Sequence, residues 1–357
     1  MTQYNLVADV GATNARFALT LGNSLDLLQI KVLACSNYPS LESAVSAYLA
    51  RIGEGEDAVI TKACIAIAGT VHLPEFTMAN NHWCVNKGRV NTALKVEALW
   101  INDFTAQAWA MSEIANEDLL IVKQGQAAKQ GNRLVMGPGT GLGVAGLIAH
   151  NKGWLPVMGE GGHVGFAPTN RLHVEILTYM WKNFEHVSAE RFLSGSGMMD
   201  LYAAVAHVNA IEPSLSSPAD ILQQAQQDTP DDLAHQTLSI FCNMLGNAVA
   251  NGALMFGAVG GVYLTGGILP RMHDFLLASE FSQSFTNKGR TSSYLHQIPI
   301  YLCITEQPGL QGAAIACSRA YPSLMTWDKA EHLMVRLIFF HHLLINLCQG
   351  PNRGRNI

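Results

Sequence analysis

Two glycine-rich turns, each carrying a hydroxyl residue, are the segments of this sequence best suited to chemistry. The first lies in "LVADVGATNARFAL" (6–19) and carries Thr13, and the second lies in "LVMGPGTGLGVAGL" (134–147) and carries Thr140. Glycine leaves backbone N–H groups unobstructed by a Cβ atom, and a row of such donors binds an anion. Two such turns in one chain predict a polyphosphate held from both sides.

Neither turn matches a common nucleotide-binding motif, and each phrase alone also fits an ordinary glycine hairpin. No Gly-Lys-Ser/Thr follows, as a Walker loop requires. Neither turn opens a helix, as the GxGxxG turn of a dinucleotide fold does, because the residues that follow are β-like. The pair therefore indicates phosphate binding in another architecture.

The elements around the turns repeat. Strands are predicted at 4–10, 16–20 and 29–34, and the same pattern restarts at Leu134 and runs to a strand at 154–158. A continuous apolar run at 63–68 is typical of a central buried strand. The repetition predicts two similar α/β domains. Further strands are predicted at 98–101, 261–264 and 298–304, and helices after Pro39 and at 171–184, 188–193, 197–209, 218–257 and 309–320.

Length and composition agree with a two-domain globular protein. The chain has 357 residues, of which 49% are hydrophobic and 14% charged, and its net charge is −5. No stripe of Lys and Arg indicates a nucleic-acid partner. The seven cysteines form no CxxC pair, so neither a disulfide framework nor a zinc site is predicted.

No targeting or membrane segment is predicted, and the expected location is the cytoplasm. The N-terminus lacks the basic region and apolar core of a signal peptide. The apolar run 333–347 contains Arg336 and two histidines and is shorter than the roughly 20 residues that a bilayer requires. A helix packed on the body or on a second subunit is predicted there instead.

Several phrases resemble known motifs. "DVGATNARFAL", "GPGTGLGVA" and "LTGGILPR" are similar to the phosphate-1, phosphate-2 and adenosine motifs of the sugar kinase, Hsp70 and actin superfamily. "INDFTA" (101–106), "GEGGHVGFAP" (159–168) and "HVSAERFLSG" (186–195) narrow the resemblance to the bacterial ATP-dependent glucokinase family of the enteric type. The similarity extends from about residue 2 to 322.

The resemblance implies an α/β fold of two ribonuclease-H-like domains, of the actin and hexokinase type, with a cleft between them. The small domain would comprise 1–110 with about 304–322, and the large domain 111–303. A C-terminal extension, 323–357, has no assigned role. The implied reaction transfers the γ-phosphoryl group of ATP to the 6-hydroxyl of D-glucose, with ATP and Mg²⁺ as cofactors, in a homodimer.

Three other functions stay open from the residues alone. The first is a kinase for fructose, mannose or an N-acetylated amino sugar, because the pocket walls are not visible in the sequence. The second is a sugar-sensing regulator without transfer activity, which the intact Asp103 disfavours. The third is an ATPase of the actin or Hsp70 type, which would not need the "GEGGH" and "HVSAER" phrases.

The resemblance assigns the sugar side of the site. Transfer to an alcohol needs a carboxylate that orients the hydroxyl and accepts its proton, and the family match gives this role to Asp103. Glu160, His163 and Glu190 would hold the sugar hydroxyls, since carboxylates accept from two neighbouring hydroxyls. Asn102 and Gly141 complete the implied sugar site. Ser188 is expected to cap a helix that carries Glu190.

The resemblance also implies which residues bind the nucleotide and its metal ion. Asp9 would face Mg²⁺ through a water molecule, because Mg²⁺ keeps part of its hydration shell. Ala12 stands where the family usually has glycine. Asn80, Asn81 and His82 form a polar cluster that fits a surface loop, and they are not assigned to the site. The residues expected to contact the nucleotide are Ala8, Asp9, Val10, Gly11, Ala12, Thr13 and Asn14 on one side, Thr140 and Gly141 on the other, and Gly266 and Gly267 at the adenosine.

Overall fold

The computed structural model describes residues 2–53, 58–78, 81–151 and 153–319. The described chain divides into two compact units, one of which is Asn102–Gly312. The other contains the residues up to Ile101 and those from Ala313 onward. The predicted domain boundaries, after 110 and 303, differ from these crossings because the helix that begins at Asp103 packs within the second unit. The predicted C-terminal extension and its apolar run lie outside the described residues.

The first unit is built on a five-stranded sheet. Its strand order is β3-β2-β1-β4-β7, with β5 and β6 forming a separate two-stranded ribbon. The strands predicted at the N-terminus and at 63–68 and 98–101 are confirmed. The elements are β1 (Thr2–Val10), β2 (Asn14–Leu21), β3 (Leu28–Ala34), α1 (Leu41–Gly53), β4 (Ala58–Ile67), β5 (Glu75–Thr77), β6 (Cys84–Asn86), α2 (Lys87–Leu94) and β7 (Ala98–Asn102).

The second unit repeats the arrangement with six strands, in the order β11-β10-β9-β12-β13-β8. In the first unit β1 pairs antiparallel with β2 and parallel with β4, and in the second β9 pairs antiparallel with β10 and parallel with β12. This shared topology confirms the predicted pair of similar α/β domains. The strands are β8 (Leu119–Lys123), β9 (Arg133–Pro138), β10 (Leu142–His150), β11 (Gly153–Gly159), β12 (Val262–Leu264) and β13 (Ile300–Cys303).

Two of the helices predicted in the second unit differ from the structure, and four helices there, at 103–113, 273–278, 281–286 and 292–297, were not predicted. The helix predicted over 218–257 is two helices, because Pro230 precedes a new start at which Asp231 accepts from Ala234 N. The helix predicted over 188–193 is a single 3₁₀ turn, Ala189–Arg191. The helices are α3 (Asp103–Glu113), α4 (Arg171–Met180), α5 (Gly195–Val208), α6 (Pro218–Ala225), α7 (Asp232–Phe256), α8 (His273–Ala278), α9 (Phe281–Thr286), α10 (Ser292–Gln297) and α11 (Pro308–Arg319), the last of which continues into the first unit.

Helices α3 and α7 lie on opposite faces of the second sheet. Helix α3 packs against β10 and β11, where Gly143 leaves room for the ring of Phe104. Helix α7 packs against β9 and β10, where a Cβ atom on Gly252 would press on Leu134 and Met136. Because side chains alternate between the faces of a strand, successive residues of β9 and β10 contribute to two different cores. Asp103, the predicted catalytic residue, is the first residue of α3 and lies on the side of the sheet that α3 covers.

One helix of the described residues, α7, is long and apolar enough to match a membrane span by composition. In its most apolar window, 67% is buried inside the protein. The helix begins at an Asp cap and ends at Gly257, which adopts φ +57°. It is the central packing helix of the second unit.

Candidate active site

Asp103 is fixed by the start of α3. The side chain of Asn102, at the end of β7, accepts from Phe104 N at 2.8 Å and from Thr105 N at 3.4 Å. One oxygen of Asp103 also accepts from Phe104 N at 2.8 Å. This cap holds the half-buried carboxylate at the first turn of the helix, where the exposed N–H groups favour a negative charge. Because the Asn102 oxygen is used in the cap, its amide group is left as a donor.

Glu160 follows the edge strand β11 and forms an isolated bridge with Val144 of β10. A 3₁₀ turn, Gly161–His163, comes next, and His163 N donates to Glu160 O at 3.0 Å. A Cβ atom on Gly162 would overlap the carbonyl of Leu142. Gly161 and Gly162 are therefore required for the close packing of this turn on β10, and that packing places Glu160 and His163.

Glu190 reaches across to the second glycine-rich turn. Its Oε2 accepts from Leu142 N at 2.8 Å, and its Oε1 lies 3.9 Å from His163 Nδ1. A Cβ atom on Gly141 would come within 2.5 Å of the Glu190 carboxylate, so a larger residue there would displace that side chain. The predicted cap at Ser188 is wrong, because its side chain makes no cap bond and the segment is too short for an α-helix.

The second unit thus brings together the sugar-side residues that the motifs predicted. Glu160 lies close enough to Asp103 for its charge to act on that carboxyl group. Burial first, and this neighbouring carboxylate second, raise the pKa of Asp103 above its ordinary value. A carboxylate with a raised pKa is a stronger base than an exposed aspartate. The arrangement suits proton removal from a hydroxyl group.

The raised pKa of Asp103 predicts a shift in the acid limb of the pH profile. Only the ionised carboxylate acts as a base, so activity falls as the pH drops through the pKa of Asp103. Replacing Glu160 by Gln removes a like charge, lowers that pKa and moves the acid limb of kcat/KM to lower pH. The control is Glu185→Gln, an exposed position. If the acid limb of kcat/KM stays at the wild-type pH in Glu160→Gln, the proposed effect of Glu160 on the pKa of Asp103 is contradicted.

The carbonyl groups of the first glycine-rich turn accept hydrogen bonds from neighbouring residues of the same unit. Cys35 N donates to Thr13 O at 2.8 Å and Cys35 Sγ to Gly11 O at 3.6 Å. The Asn81 side chain donates to Ala12 O at 2.9 Å. Gly11 N donates to Asn14 O at 3.0 Å within the turn, so the N–H groups of Ala12 and Thr13 are the ones that this turn can offer to an anion.

The prediction for Asn81 needs revision. The sequence favours a surface loop for Asn81, but its amide supports the turn directly, whereas Asn80 lies outside the described residues. Ala12 replaces the glycine usual in the family without backbone strain, because its φ angle is not positive. The methyl group is therefore accommodated.

The second glycine-rich turn lies beside the predicted adenosine turn. Gly139 N donates to Gly141 O, and Gly139 O accepts from Gly195 N at the start of α5, each at 2.8 Å. Gly266 adopts φ +87°, and a Cβ atom on it would overlap Pro138 O. The exposed Thr140 and the two glycines of the adenosine turn are therefore held at one end of the sheet.

A hydrogen bond links the predicted adenosine turn to the helix that begins at Asp103. Thr265 Oγ1 donates to Gln107 Oε1 at 2.7 Å. Gln107 lies one turn after Asp103 on α3, and Thr265 immediately precedes Gly266. The sequence did not identify this pair, because its members are 158 positions apart.

Asp9 supplies a single carboxylate near the first turn. It lies in β1, is largely buried and pairs with Arg16 at 3.5 Å. Within the part of the chain that the structure describes, no group of three or more His, Cys, Asp or Glu side chains forms a metal cage. One carboxylate suits Mg²⁺, which commonly keeps several waters and takes its other ligands from substrate phosphates.

Comparisons with known proteins identify the family of this chain. The glucokinase family model matches residues 6–320. The glucokinase of Hahella chejuensis is 42% identical over 315 residues, which cover 88% of this chain and 97% of that protein. The glucokinase of Neisseria gonorrhoeae is 42% identical, over 87% of this chain and 94% of that protein. A glucokinase crystal structure from an Antarctic psychrotroph superimposes with a TM-score of 0.79 at 34% identity, covering 89% of this chain and 99% of the other. The chain belongs to the glucokinase family.

Proposed function

We propose that this protein transfers the γ-phosphoryl group of ATP to the 6-hydroxyl of D-glucose, giving glucose 6-phosphate and ADP. Its family membership supports this reaction. The observation that carries the residue assignment is a series of contacts within one unit: Glu160 acts on Asp103, His163 lies 3.9 Å from Glu190, and Glu190 accepts from Leu142 N beside Gly141. These side chains offer hydrogen-bond partners to a hydroxyl-rich ligand and a carboxylate base to one of its hydroxyls.

In the proposed reaction, Asp103 accepts the proton of the 6-hydroxyl. The sugar O6 forms a bond to the γ-phosphorus as the bond from that phosphorus to the β,γ-bridging oxygen breaks, and ADP leaves with the electron pair. The raised pKa of Asp103 favours the proton transfer. Its position at the first turn of α3 keeps the carboxylate oriented while the hydroxyl attacks.

The remaining sugar hydroxyls bind to Glu160, Glu190, His163, the Asn102 amide and the backbone at Gly141. Glu190 combines two tasks, because the same carboxylate accepts from Leu142 N. A sugar that lacks one hydroxyl, or presents it in the wrong direction, leaves these polar groups unpaired. Such unpaired groups give strong discrimination between sugars.

The triphosphate is proposed to bind at the two glycine-rich turns, beside residues 8–14 on one side and Thr140 and Gly141 on the other. Mg²⁺, when bound, neutralises negative charge on the phosphates. Asp9 would hold the ion through water, and Arg16 keeps the Asp9 carboxylate oriented. Gly266 and Gly267 would leave the adenosine room against the backbone.

The two glycines of the adenosine turn give a sharp test of nucleotide binding. In Gly267→Ala the new Cβ meets no described atom within 4 Å, so the protein should fold normally. If adenosine lies against this residue, the methyl group raises the KM for ATP and leaves the KM for glucose unchanged. Steady-state kinetics with each substrate varied will measure this, and an unchanged KM for ATP would remove Gly267 from the site.

The neighbouring substitution separates folding from binding. Gly266→Ala forces a positive φ on alanine and brings its Cβ against Pro138 O. We expect it to lower the free energy of unfolding by at least about 1 kcal/mol. Denaturant unfolding of both variants will distinguish the structural glycine from the ligand-contacting one.

A panel of sugars tests the proposed reaction. With ATP and Mg²⁺, ADP formation should be fastest with glucose and slower with fructose, mannose and N-acetylglucosamine. 6-Deoxyglucose should bind but give no sugar-dependent ADP. A preference for another hexose would overturn the assignment to glucose, and ADP formation that needs no sugar would overturn the kinase assignment.

The homodimer implied by the resemblance is also proposed. The edge strand β11 exposes Leu155, Val157 and Met158, a run of apolar residues that a second copy of the chain would cover. Light scattering after size-exclusion chromatography should give twice the chain mass of 38.6 kDa. A mass equal to one chain would contradict the proposal.

A further inference from the structure

A cavity of about 380 Å³ lies in the second unit. Its walls are mainly apolar and come from the sheet, from α7 and from the segment after His163. Three polar side chains, Glu160, Asn247 and Asn251, also line it. A mostly apolar cavity of this size with a few polar groups is typical of a small-molecule site. The main apolar lining residues are Met136, Leu142, Val144, Phe166, Met244 and Phe256.

The cavity is on the opposite face of the sheet from the catalytic aspartate. Gly143 of β10 faces Phe104 of α3, whereas its neighbours Leu142 and Val144 line the cavity. Alternation along the strand therefore separates the two regions. The cavity and Asp103 share only the segment around Glu160, whose residue both lines the cavity and acts on the Asp103 carboxyl group.

A positive charge lies behind the polar end of the cavity. Lys288 Nζ donates to Asn247 Oδ1 and, at 2.7 Å, to Asn251 Oδ1. Burial lowers the pKa of Lys288. Among residues 2–53, 58–78, 81–151 and 153–319, no carboxylate lies within ion-pair distance of this ammonium group. Its charge is therefore not neutralised by a described partner.

The two asparagines are oriented by this lysine. Because their oxygens accept from Nζ, their NH₂ groups are left as donors. Asn247 Nδ2 donates to Ala167 O at 3.1 Å. Asn251 lines the cavity, and its Nδ2 has no acceptor in the part of the chain that the structure describes. The polar end thus offers a donor backed by a cation, which is complementary to an anionic head group.

We propose that this cavity binds a small apolar monocarboxylate, with its head group at the Asn251 amide that Lys288 orients, and that occupancy changes the affinity for glucose. The apolar walls suit a hydrocarbon body. The effect on glucose affinity rests on the proposed function, because it acts through Glu160, a proposed sugar-binding residue. That residue forms a bridge with Val144, and a Cβ atom on Gly161 would press on the Val144 side chain. A ligand against Val144 therefore contacts the support of a sugar-binding residue.

Binding is measured first, without ATP or sugar, by isothermal titration calorimetry of the full chain. The probes are octanoate, octanol and octylammonium, which share a hydrocarbon body and differ in head-group charge. Octanoate should bind at one site and more tightly than octanol, and octylammonium should not bind there. Absence of saturable octanoate binding, or equal binding of all three probes, would overturn the proposal.

Substitutions test the location of the site. Ala248→Phe places a ring in the cavity and should abolish octanoate binding. Asn251→Asp keeps the side-chain shape but gives Lys288 a carboxylate partner, so octanoate should bind about tenfold more weakly while octanol is unaffected. Asn183→Asp, at an exposed position, is the control for added charge. Octanoate binding that survives in Ala248→Phe would place the ligand elsewhere.

The effect on glucose is measured separately, with glucose binding titrated in the presence and absence of octanoate. Octanoate should change the Kd for glucose in the wild type but not in Ala248→Phe. A saturable octanoate site without any change in the Kd for glucose would overturn the coupling and leave the site itself intact. Because the sugar panel tests the kinase activity independently, failure of one proposal is distinguishable from failure of the other.

Discussion

Replacing Asp103 by Asn should lower kcat for glucose phosphorylation by about 10²- to 10⁴-fold, the contribution expected of a general base. Asparagine keeps the size of the side chain and its hydrogen bond to Phe104 N but does not accept the proton of the 6-hydroxyl. Glucose affinity, measured by calorimetry, should stay close to that of the wild type. The activity loss should therefore appear in kcat and not in sugar binding.

The same variant should not be less stable than the wild type. Burial and Glu160 raise the pKa of Asp103 in the folded state above its unfolded value, so the ionised carboxylate destabilises the fold at a pH above both values. Near neutral pH, Asp103→Asn should unfold at the same or a higher temperature. A lower unfolding temperature would attribute the lost activity to misfolding.

Asp232→Asn is the matched control for the catalytic substitution. Asp232 is also the first residue of a helix, α7, but it is exposed and lies away from the sugar residues. Its substitution should leave kcat unchanged. Equal losses in both variants would show that a carboxylate at a helix start matters for folding and not for proton transfer.

The second large effect is expected at Glu190. Glu190→Gln replaces the carboxylate that accepts from Leu142 N and that is proposed to accept from the sugar hydroxyls, so kcat/KM for glucose should fall by about 10- to 100-fold. Because the bond to Leu142 N positions the second glycine-rich turn, the KM for ATP should rise as well. Steady-state kinetics with each substrate varied will separate the two contributions.

Glu185→Gln controls for loss of a nearby charge. Glu185 is exposed, lies five positions earlier in the chain and should tolerate the substitution without a change in kcat/KM. A Glu190→Gln variant with wild-type kinetics for both substrates would remove Glu190 from the sugar site. If only the KM for ATP changed, the role of Glu190 would be restricted to support of the second glycine-rich turn.

The strands were predictable because their signals are local. The apolar run at 63–68 predicted β4, and the repeated pattern of strand, glycine turn and strand predicted both antiparallel hairpins. Helix α3 was missed because it is buried on most sides, so its apolar residues give no amphipathic stripe. The break before α7 was missed although Pro230 signals it.

The site residues were predicted from motifs, but their supports were not. The contacts of Asn81 with Ala12, of Gln107 with Thr265 and of Glu190 with Leu142 join positions 69, 158 and 48 residues apart. Periodicity and local propensity carry no information about such pairs. The glycines at 141 and 162 are explained only by neighbours brought near by the fold, the Glu190 carboxylate and the Leu142 carbonyl.

A crystal structure of the protein with bound glucose tests the central claim most directly. We expect the sugar 6-hydroxyl within about 2.6–3.2 Å of an Asp103 carboxylate oxygen, which is the reach required of a general base. The other hydroxyls should contact Glu160, His163 and Glu190. Glucose bound with its 6-hydroxyl away from Asp103, or bound without these three residues, would contradict the account.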